Sequence, residues 1–157
     1  MKKNLSFILI ILLITSACGF KVVNQSSMIK FYVSELNTTG DGRINFNIKN
    51  RFLSLPKNND KIPIILNLKT KKIKTIKEKN INNEITKYVL KVNIVVEFAD
   101  SNLKNSLVSF SVEEKGDYTV NTQHSRTIAN EKKLIKVLSS KLYKRVLKEL
   151  SIRLNDK

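Results

Sequence analysis

The only cysteine of this chain, Cys18, is the residue whose position most clearly implies chemistry. It follows a short leader in which Lys2 and Lys3 precede an apolar run at residues 5–14, and Ala17 stands directly before it. Basic, apolar and then small residues are typical of a bacterial lipoprotein signal peptide. We predict cleavage between Ala17 and Cys18, and modification of Cys18 with a diacylglyceryl group and an N-acyl chain. The alternative is an ordinary secretory signal that ends beside a cysteine.

The physical properties of the leader favour lipidation. A permanent membrane span needs about 20 apolar residues, so the run at residues 5–14 can start translocation but cannot serve as the anchor. Two or three acyl chains on Cys18 would replace it as a firm anchor. Because the chain has no second cysteine, Cys18 cannot form an internal disulfide, and an unpaired thiol in an exported protein needs another role.

The remaining reactive residues give little support for catalysis. His124 is the only histidine, so neither a histidine-activated nucleophile nor a clustered metal site can be built around it. Glu113, Glu114 and Asp117 crowd one end of a predicted strand, where a turn is a simpler interpretation than an acid–base pair. We expect no enzyme activity, no cofactor and no metal.

The charge of the chain suggests anionic partners. Its formal net charge is +16; without Lys2 and Lys3, 27 basic residues face 13 acidic ones, which leaves +14. For an exported protein, such an excess favours lipid head groups, phosphorylated glycolipids or acidic proteins over nucleic acid. The general richness in lysine, asparagine and isoleucine also allows that single lysines have no specific role.

The first elements that would position such charges are a strand and a helix. Residues 29–36 predict a strand, and residues 38–42 predict a turn in which Asp41 caps a helix. Apolar residues then recur on one helical face, which predicts a helix that ends before Pro56. The residues of this face are Ile44, Ile48, Phe52 and Leu55.

Three strands are predicted next. Residues 62–76 are strand-like, and Pro63 near their start favours an edge strand or one that begins just after it. From Tyr88 to Phe98 every even position is apolar or aromatic, which is the clearest strand of the chain. Residues 108–112 alternate similarly and predict a strand, with a resumption at Tyr118 and Val120 after Gly116. Their short connections indicate antiparallel pairing.

The last predicted element is a long amphipathic helix at about residues 128–154. Its apolar arc is broad enough to face a core. The residues of this arc are Leu134, Ile135, Leu138, Leu142, Val146, Leu147, Leu150 and Leu154. On the opposite side lie Lys133, Lys141, Lys144 and Lys148. This basic side fits a solvated surface or a face for anionic lipid.

Together these elements predict an α+β fold. Two helices would pack on one face of a four-stranded, mostly antiparallel, mixed sheet, and the first strand would join after a helical crossover. The other face of the sheet would be free for a partner. We divide the chain into a signal peptide at residues 1–17, a lipidated tether at residues 18–28 and a single domain at residues 29–157.

Three segments of the chain match a known family. They are Cys18-Gly19-Phe20 at the predicted lipidation site, YVLKV at residues 88–92, and Ile128-Ala129-Asn130-Glu131 at the start of the last helix. Together they resemble the LPS-assembly lipoprotein LptE family. The run at residues 118–127 is similar to the family's fourth strand and following loop. The similarity in element order covers essentially the whole chain.

The resemblance implies an outer-membrane lipoprotein on the periplasmic side, anchored by its acyl chains in the inner leaflet. Such a protein plugs an LptD-like β-barrel, supports its assembly and binds lipopolysaccharide. The resemblance places the lipopolysaccharide-binding residues at the tip between the second and third strands and just before the last helix, which here indicates Lys77, Lys79 and Arg126. The alternative is a free-standing envelope lipoprotein that binds anionic lipid or cell-wall polymer through its basic surface.

Overall fold

The computed structural model describes residues 29–58, 60–100 and 107–155. The predicted cleavage site at Ala17, the lipidation site at Cys18 and the tether at residues 18–28 lie outside the described residues. The elements run in the order β1 (Phe31–Gly40), α1 (Gly42–Leu53), β2 (Ile62–Lys79), β3 (Ile85–Asp100), β4 (Val108–Thr119) and α2 (His124–Asn155).

The four strands form one mixed sheet in the order β1-β2-β3-β4. Strand β1 is parallel to β2, because α1 crosses over between them, and the other two pairs are antiparallel. Both helices pack on the same face of this sheet, so the predicted α+β architecture is confirmed. No helix in the described ranges combines the length and the apolar character that crossing a membrane requires.

The core lies between the helices and one face of the sheet. The even positions of β3 from Leu90 to Phe98 are buried, as their alternation predicted. They face the apolar stripes of α1 and α2. The buried helix residues include Ile44, Ile48, Phe52, Ile135, Leu138, Leu142, Val146 and Leu150. At roughly 1.5–3 kcal/mol for each fully buried apolar side chain, this layer is the main source of stability.

Helix α1 begins as its sequence predicted, but it ends at Leu53, so Leu55, which was predicted on its apolar face, lies beyond it. The carboxylate of Asp41 accepts a hydrogen bond from the backbone N–H of Ile44 at 3.0 Å, which caps the helix. The helix closes at Ser54, before Pro56. The chain reaches this cap through Gly40, whose φ of 101° places it in the region that favours glycine.

The prediction of an edge position for β2 is wrong. Strand β2 is paired on both sides, and Pro63 is opposite Tyr32 of β1. The backbone N–H of Ile62 donates to the carbonyl of Lys30, so the next residue along, Pro63, directs its nitrogen away from β1. The ladder with β3 starts only at Ile64, so the missing N–H of proline removes no bond.

Several boundaries also differ from those predicted. Strand β1 spans Phe31–Gly40 rather than residues 29–36, because Thr38 and Thr39 continue the ladder with β2. Strand β4 is continuous through Gly116, which pairs with Leu90 of β3. Helix α2 starts at His124, one turn earlier than the apolar pattern at residues 128–154 predicted.

Side chains of α2 cover the outer edge of β4. The guanidinium of Arg145 donates to the backbone carbonyl of Glu113 at 2.9 Å, and its Nε also pairs with the carboxylate of Glu114 at 2.9 Å. The amide of Asn130 donates to the carbonyl of Thr119 at 3.0 Å. These bonds occupy carbonyls that an incoming strand would otherwise use.

Candidate lipid-binding end of the molecule

The hairpin of β2 and β3 extends beyond the end of β1. Strand β1 stops where Gly40 pairs with Thr70, whereas β2 continues through residues 71–79, all of them exposed. Strand β4 accompanies the hairpin as far as the pair between Thr119 and Lys87. Helix α2 begins at this same end, because the first residues after β4 lead directly into it.

The turn of this hairpin, residues 80–84, is held by its own polar groups. The side-chain oxygen of Asn80 accepts the backbone N–H groups of Asn82 at 3.0 Å and Glu84 at 2.9 Å. Its amide donates to the carboxylate of Glu84 at 2.7 Å. Asn83 has a φ of 63°, a conformation that asparagine tolerates. The turn therefore holds a defined shape and carries a fully exposed apolar side chain, Ile81, at its tip.

Two of the predicted lipopolysaccharide-binding residues lie just below this turn. The ammonium of Lys77 is 2.9 Å from the carboxylate of Asp117 on β4. This hydrogen bond raises the pKa of Lys77 and lowers the pKa of Asp117. Lys79 donates to the side-chain oxygen of Asn83 at 2.8 Å. Both cations are exposed, and Lys77 already has a carboxylate that an anionic ligand would have to displace.

The third predicted residue, Arg126, lies in the first turn of α2 rather than before the helix. Its side chain is exposed and makes no ion pair with any residue in the described ranges. The backbone N–H of Asn121 donates to the hydroxyl of Thr127, which holds this turn beside the end of β4. The structure thus places Arg126 at the same end of the molecule as the hairpin.

A polar network joins the base of the hairpin to both helices, and the sequence did not predict it. The carboxylate of Glu131 on α2 accepts a hydrogen bond from the hydroxyl of Tyr118 at 2.9 Å. It also lies 3.3 Å from the ammonium of Lys74 and 3.8 Å from that of Lys72. Lys72 pairs in addition with Asp41, the cap of α1, at 3.0 Å. We call these five residues the Glu131 network.

The Glu131 network keeps its carboxylates ionised. Burial alone would raise the pKa of Glu131, but hydrogen bonds from Tyr118 and Lys74 outweigh it and lower the pKa. Burial is likewise outweighed at Asp41, whose pKa is lowered by the N–H of Ile44 and by Lys72. The hydrogen bond with Tyr118 raises the pKa of Lys74, and the hydrogen bond with Glu131 adds to this effect. Partial burial of the ammonium lowers the pKa but does not outweigh these bonds.

A shallow groove of about 340 Å³ lies between β4 and the first half of α2. Leu134 and Val137 form its apolar part, and Lys133 stands at its side. Gly116 allows α2 to come close here, because a Cβ at this position would lie 2.8 Å from the side chain of Leu134. The groove adjoins Asp117 and therefore the ion pair with Lys77.

The lysines of the sheet and those of α2 differ in their pairing. On the sheet, Lys72, Lys74, Lys77, Lys87 and Lys91 each form an ion pair, and the other four strand lysines form none with a described residue. On α2 six exposed lysines form none with any residue that the structure describes. These six are Lys132, Lys133, Lys136, Lys141, Lys144 and Lys148.

The two faces of the molecule therefore differ in charge. Helix α2 carries nine basic and two acidic residues, and α1 carries three basic and no acidic ones. On the open face of the sheet lysines and acidic residues occur in almost equal numbers. They are Lys69, Lys71, Lys77, Lys87, Lys91 and Lys115 with Glu35, Glu78, Glu97, Glu113 and Asp117. The excess positive charge of the described elements lies on the helices.

Within the described ranges, no group of three or more His, Cys, Asp and Glu side chains could hold a metal ion. His124 is exposed at the start of α2. Glu113 and Glu114 point to opposite faces of β4, where they pair with Lys91 and Arg145 respectively. The carboxylates that crowd this strand are thus engaged in separate ion pairs.

The fold is shared with solved bacterial lipoproteins. Rare lipoprotein B from Shewanella oneidensis is similar, with a TM-score of 0.61 and 15% identity over 79% of this chain and 97% of that chain. Lipoprotein B from Nitrosomonas europaea has a TM-score of 0.57 and 15% identity over 87% of this chain and 93% of that chain. No protein-family model matches the sequence, and no curated protein matches it. At these identities the likeness establishes a common fold.

Proposed function

We propose that this protein is an outer-membrane lipoprotein that plugs and supports the assembly of an LptD-like β-barrel and binds lipopolysaccharide for delivery to the outer leaflet. It acts as a structural subunit and lipid-transfer accessory, without enzyme activity. Lipid on Cys18 would anchor it in the inner leaflet, with the domain on the periplasmic side. The fold shared with rare lipoprotein B and the LptE-like sequence segments support this assignment.

The observation that carries the proposal is the combination of groups at the hairpin end. A fixed turn presents the apolar side chain of Ile81, and Lys77, Lys79 and Arg126 lie at the same end. Lipopolysaccharide offers acyl chains and phosphates, which match an apolar tip and its cations. Charge-assisted bonds from lysine and arginine to phosphate are among the stronger hydrogen bonds of proteins.

The barrel partner is proposed from the open face of the sheet. No described element covers this face, and its lysines and carboxylates occur in almost equal numbers. A surface of mixed charge is better suited to contact a polar barrel wall than to contact lipid, because it offers both hydrogen-bond donors and acceptors. This arrangement would leave the hairpin end free to meet lipopolysaccharide.

Binding of lipopolysaccharide is tested with the triple variant Lys77→Gln, Lys79→Gln and Arg126→Gln. The matched control is Lys69→Gln, Lys71→Gln and Lys115→Gln, which removes the same charge from exposed lysines on the open face of the sheet. With immobilised lipopolysaccharide at moderate salt, we expect the hairpin-end variant to bind at least tenfold more weakly, since one charge-assisted bond is worth about 1.5–3 kcal/mol. Equal binding of both variants would show that other residues hold the ligand.

The barrel partner is tested by purification of the lipidated protein from detergent-solubilised outer membranes. We expect a large β-barrel protein to copurify in near-stoichiometric amount. Its absence would contradict the plug and favour a free-standing lipoprotein. Copurification of a cell-wall synthase or hydrolase instead would indicate a role in regulating envelope enzymes.

A further inference from the structure

Six lysines that form no ion pair with any described residue occupy the exposed half of α2, and we call this half the lysine ridge. It consists of Lys132, Lys133, Lys136, Lys141, Lys144 and Lys148. At 1.5 Å per residue, the ridge extends over about 24 Å of helix. No acidic residue occurs between its first and last members. The buried stripe of α2, from Ile135 to Leu150, faces the sheet, so the ridge is directed to solvent.

We propose that the lysine ridge is a docking face for the surface of an anionic phospholipid bilayer. Every cation of the ridge is a lysine, whereas Arg145 and Arg153 on the same helix are engaged with Glu114 and Glu149. Lysine acts as a compact, hydrated point charge that suits many loose contacts with head groups, whereas arginine suits bidentate recognition. Lysine is also depleted in the buried centres of protein interfaces.

The charge distribution selects this face over the others. On the open face of the sheet, three of the six lysines are ion-paired and five acidic residues lie among them, so an anionic surface would gain less there. The ridge has no such compensation from any described residue. Its exposed apolar residue, Val137, is 44% exposed and stands alone between the lysines, so the contact is electrostatic and does not require insertion. Each lysine at an anionic membrane surface strengthens binding about fivefold.

This role is separate from lipopolysaccharide binding at the hairpin end. The ridge runs from beside the groove at Lys133 toward the far end of α2, near Arg153 and Phe110. Before the domain enters a barrel, the ridge would orient it against the bilayer to which the predicted acyl chains tether it. The inference goes beyond the proposed function and does not depend on it.

Vesicle cosedimentation tests the ridge. The protein is the chain from position 18 onward with Cys18→Ser, so that acyl chains do not contribute to binding. It is mixed with phosphatidylcholine vesicles with and without phosphatidylglycerol, at low and at high salt. The ridge variant is Lys136→Gln, Lys141→Gln and Lys144→Gln, and the control is Lys69→Gln, Lys71→Gln and Lys115→Gln. Circular dichroism melting curves verify that both variants fold.

We expect binding only to the phosphatidylglycerol vesicles, and weaker binding at high salt. The ridge variant should bind them on the order of a hundredfold more weakly, from about fivefold for each of three lysines. The control should lose much less. The hairpin-end variant at Lys77, Lys79 and Arg126 should retain vesicle binding, which separates the two proposals.

Three results would overturn the ridge assignment. The first is equal affinity for both kinds of vesicle. The second is an equal loss in the ridge variant and the control, which would mean that net charge alone matters. The third is unchanged vesicle binding by the ridge variant, which would show that the ridge does not contact the bilayer.

Discussion

The Glu131 network leads to a quantitative prediction for Glu131→Gln. Glutamine keeps the shape of the side chain and can still accept a hydrogen bond from Tyr118. It loses the charge that attracts Lys72 and Lys74, which then remain close to each other without a shared carboxylate. The substitution therefore removes the electrostatic link between α2 and the base of the hairpin, while the apolar core stays intact.

The expected cost follows from the exposure of the three partners. Hydrogen bonds to charged groups contribute about 1.5–3 kcal/mol, whereas exposed ion pairs contribute about 0–1 kcal/mol. The side chains of Glu131, Lys72 and Lys74 are 23%, 30% and 40% exposed, so solvent screens part of the interaction. We expect Glu131→Gln to lower the free energy of unfolding by about 1–2 kcal/mol. The melting temperature should fall by about 3–8 °C.

The assay is urea unfolding of both proteins at a series of pH values. Because the folded pKa of Glu131 is lowered, its stabilisation is present above the unfolded value of about 4.3 and is lost as pH falls through the folded pKa. The difference between wild type and Glu131→Gln should therefore be constant near neutral pH and shrink below about pH 4. Asp41 titrates in the same direction in both proteins and does not produce this difference.

Glu97→Gln is the matched control. Glu97 lies on the open face of the sheet and makes no ion pair with any residue that the structure describes. Its replacement should change the unfolding free energy by less than about 0.5 kcal/mol. An equal loss in both variants, or a loss in Glu131→Gln that persists at low pH, would refute an electrostatic role for the network.

Two further predictions concern single positions. Gly40→Ala should lower the unfolding free energy by at least about 2 kcal/mol, because the new Cβ would collide with the carbonyl of Thr70 and the φ of this residue is 101°. Gly42→Ala is the matched control, because a Cβ there would meet no heavy atom within 4 Å. We expect it to be neutral or stabilising by up to about 1 kcal/mol. Similar urea midpoints for the two variants would contradict this. Cys18→Ser should leave an uncleaved and unlipidated precursor, visible as slower migration and by mass spectrometry, and normal processing would refute the lipoprotein prediction.

Elements with a buried face on one side were predictable from sequence. The alternation from Tyr88 to Phe98 and the four-residue spacing of Ile44, Ile48 and Phe52 both reflect burial of a single face. Such patterns are local, so they do not depend on which strands pair. The cap at Asp41 was equally predictable, because the side chain acts on a backbone N–H three residues ahead.

Boundaries were less predictable where polar residues continue an element. Thr38 and Thr39 extend β1 because β2 offers ladder partners, and no local pattern reports this. Gly116 resembles a break in β4, but its missing side chain leaves room for Leu134 of α2. The first turn of α2 has no apolar stripe, so its helical periodicity is invisible until residue 128.

The site was predicted only in part, because its contacts depend on register. Lys77 and Asp117 are 40 residues apart and meet across β3. Lys72 and Lys74 lie on the same face of β2 as Leu66 and Leu68, which is the face toward the helices. The alternation of β2 could have predicted this, but the many lysines at the end of the strand made the pattern hard to recognise. Glu131 belongs to the segment at residues 128–131 that resembles the LptE family. Its hydrogen-bond and ion-pair partners could be identified only from the pairing of the strands.

The covering of β4 by Arg145 and Asn130 has a consequence for how the protein is made. Helix α2 follows β4 in the chain, so synthesis and any vectorial transport deliver β4 before its cover. Until α2 folds back, the carbonyls of Glu113 and Thr119 are open to a strand from another copy. A chain that ends before Asn130 would leave these two carbonyls open to such pairing, so α2 protects them once it has folded.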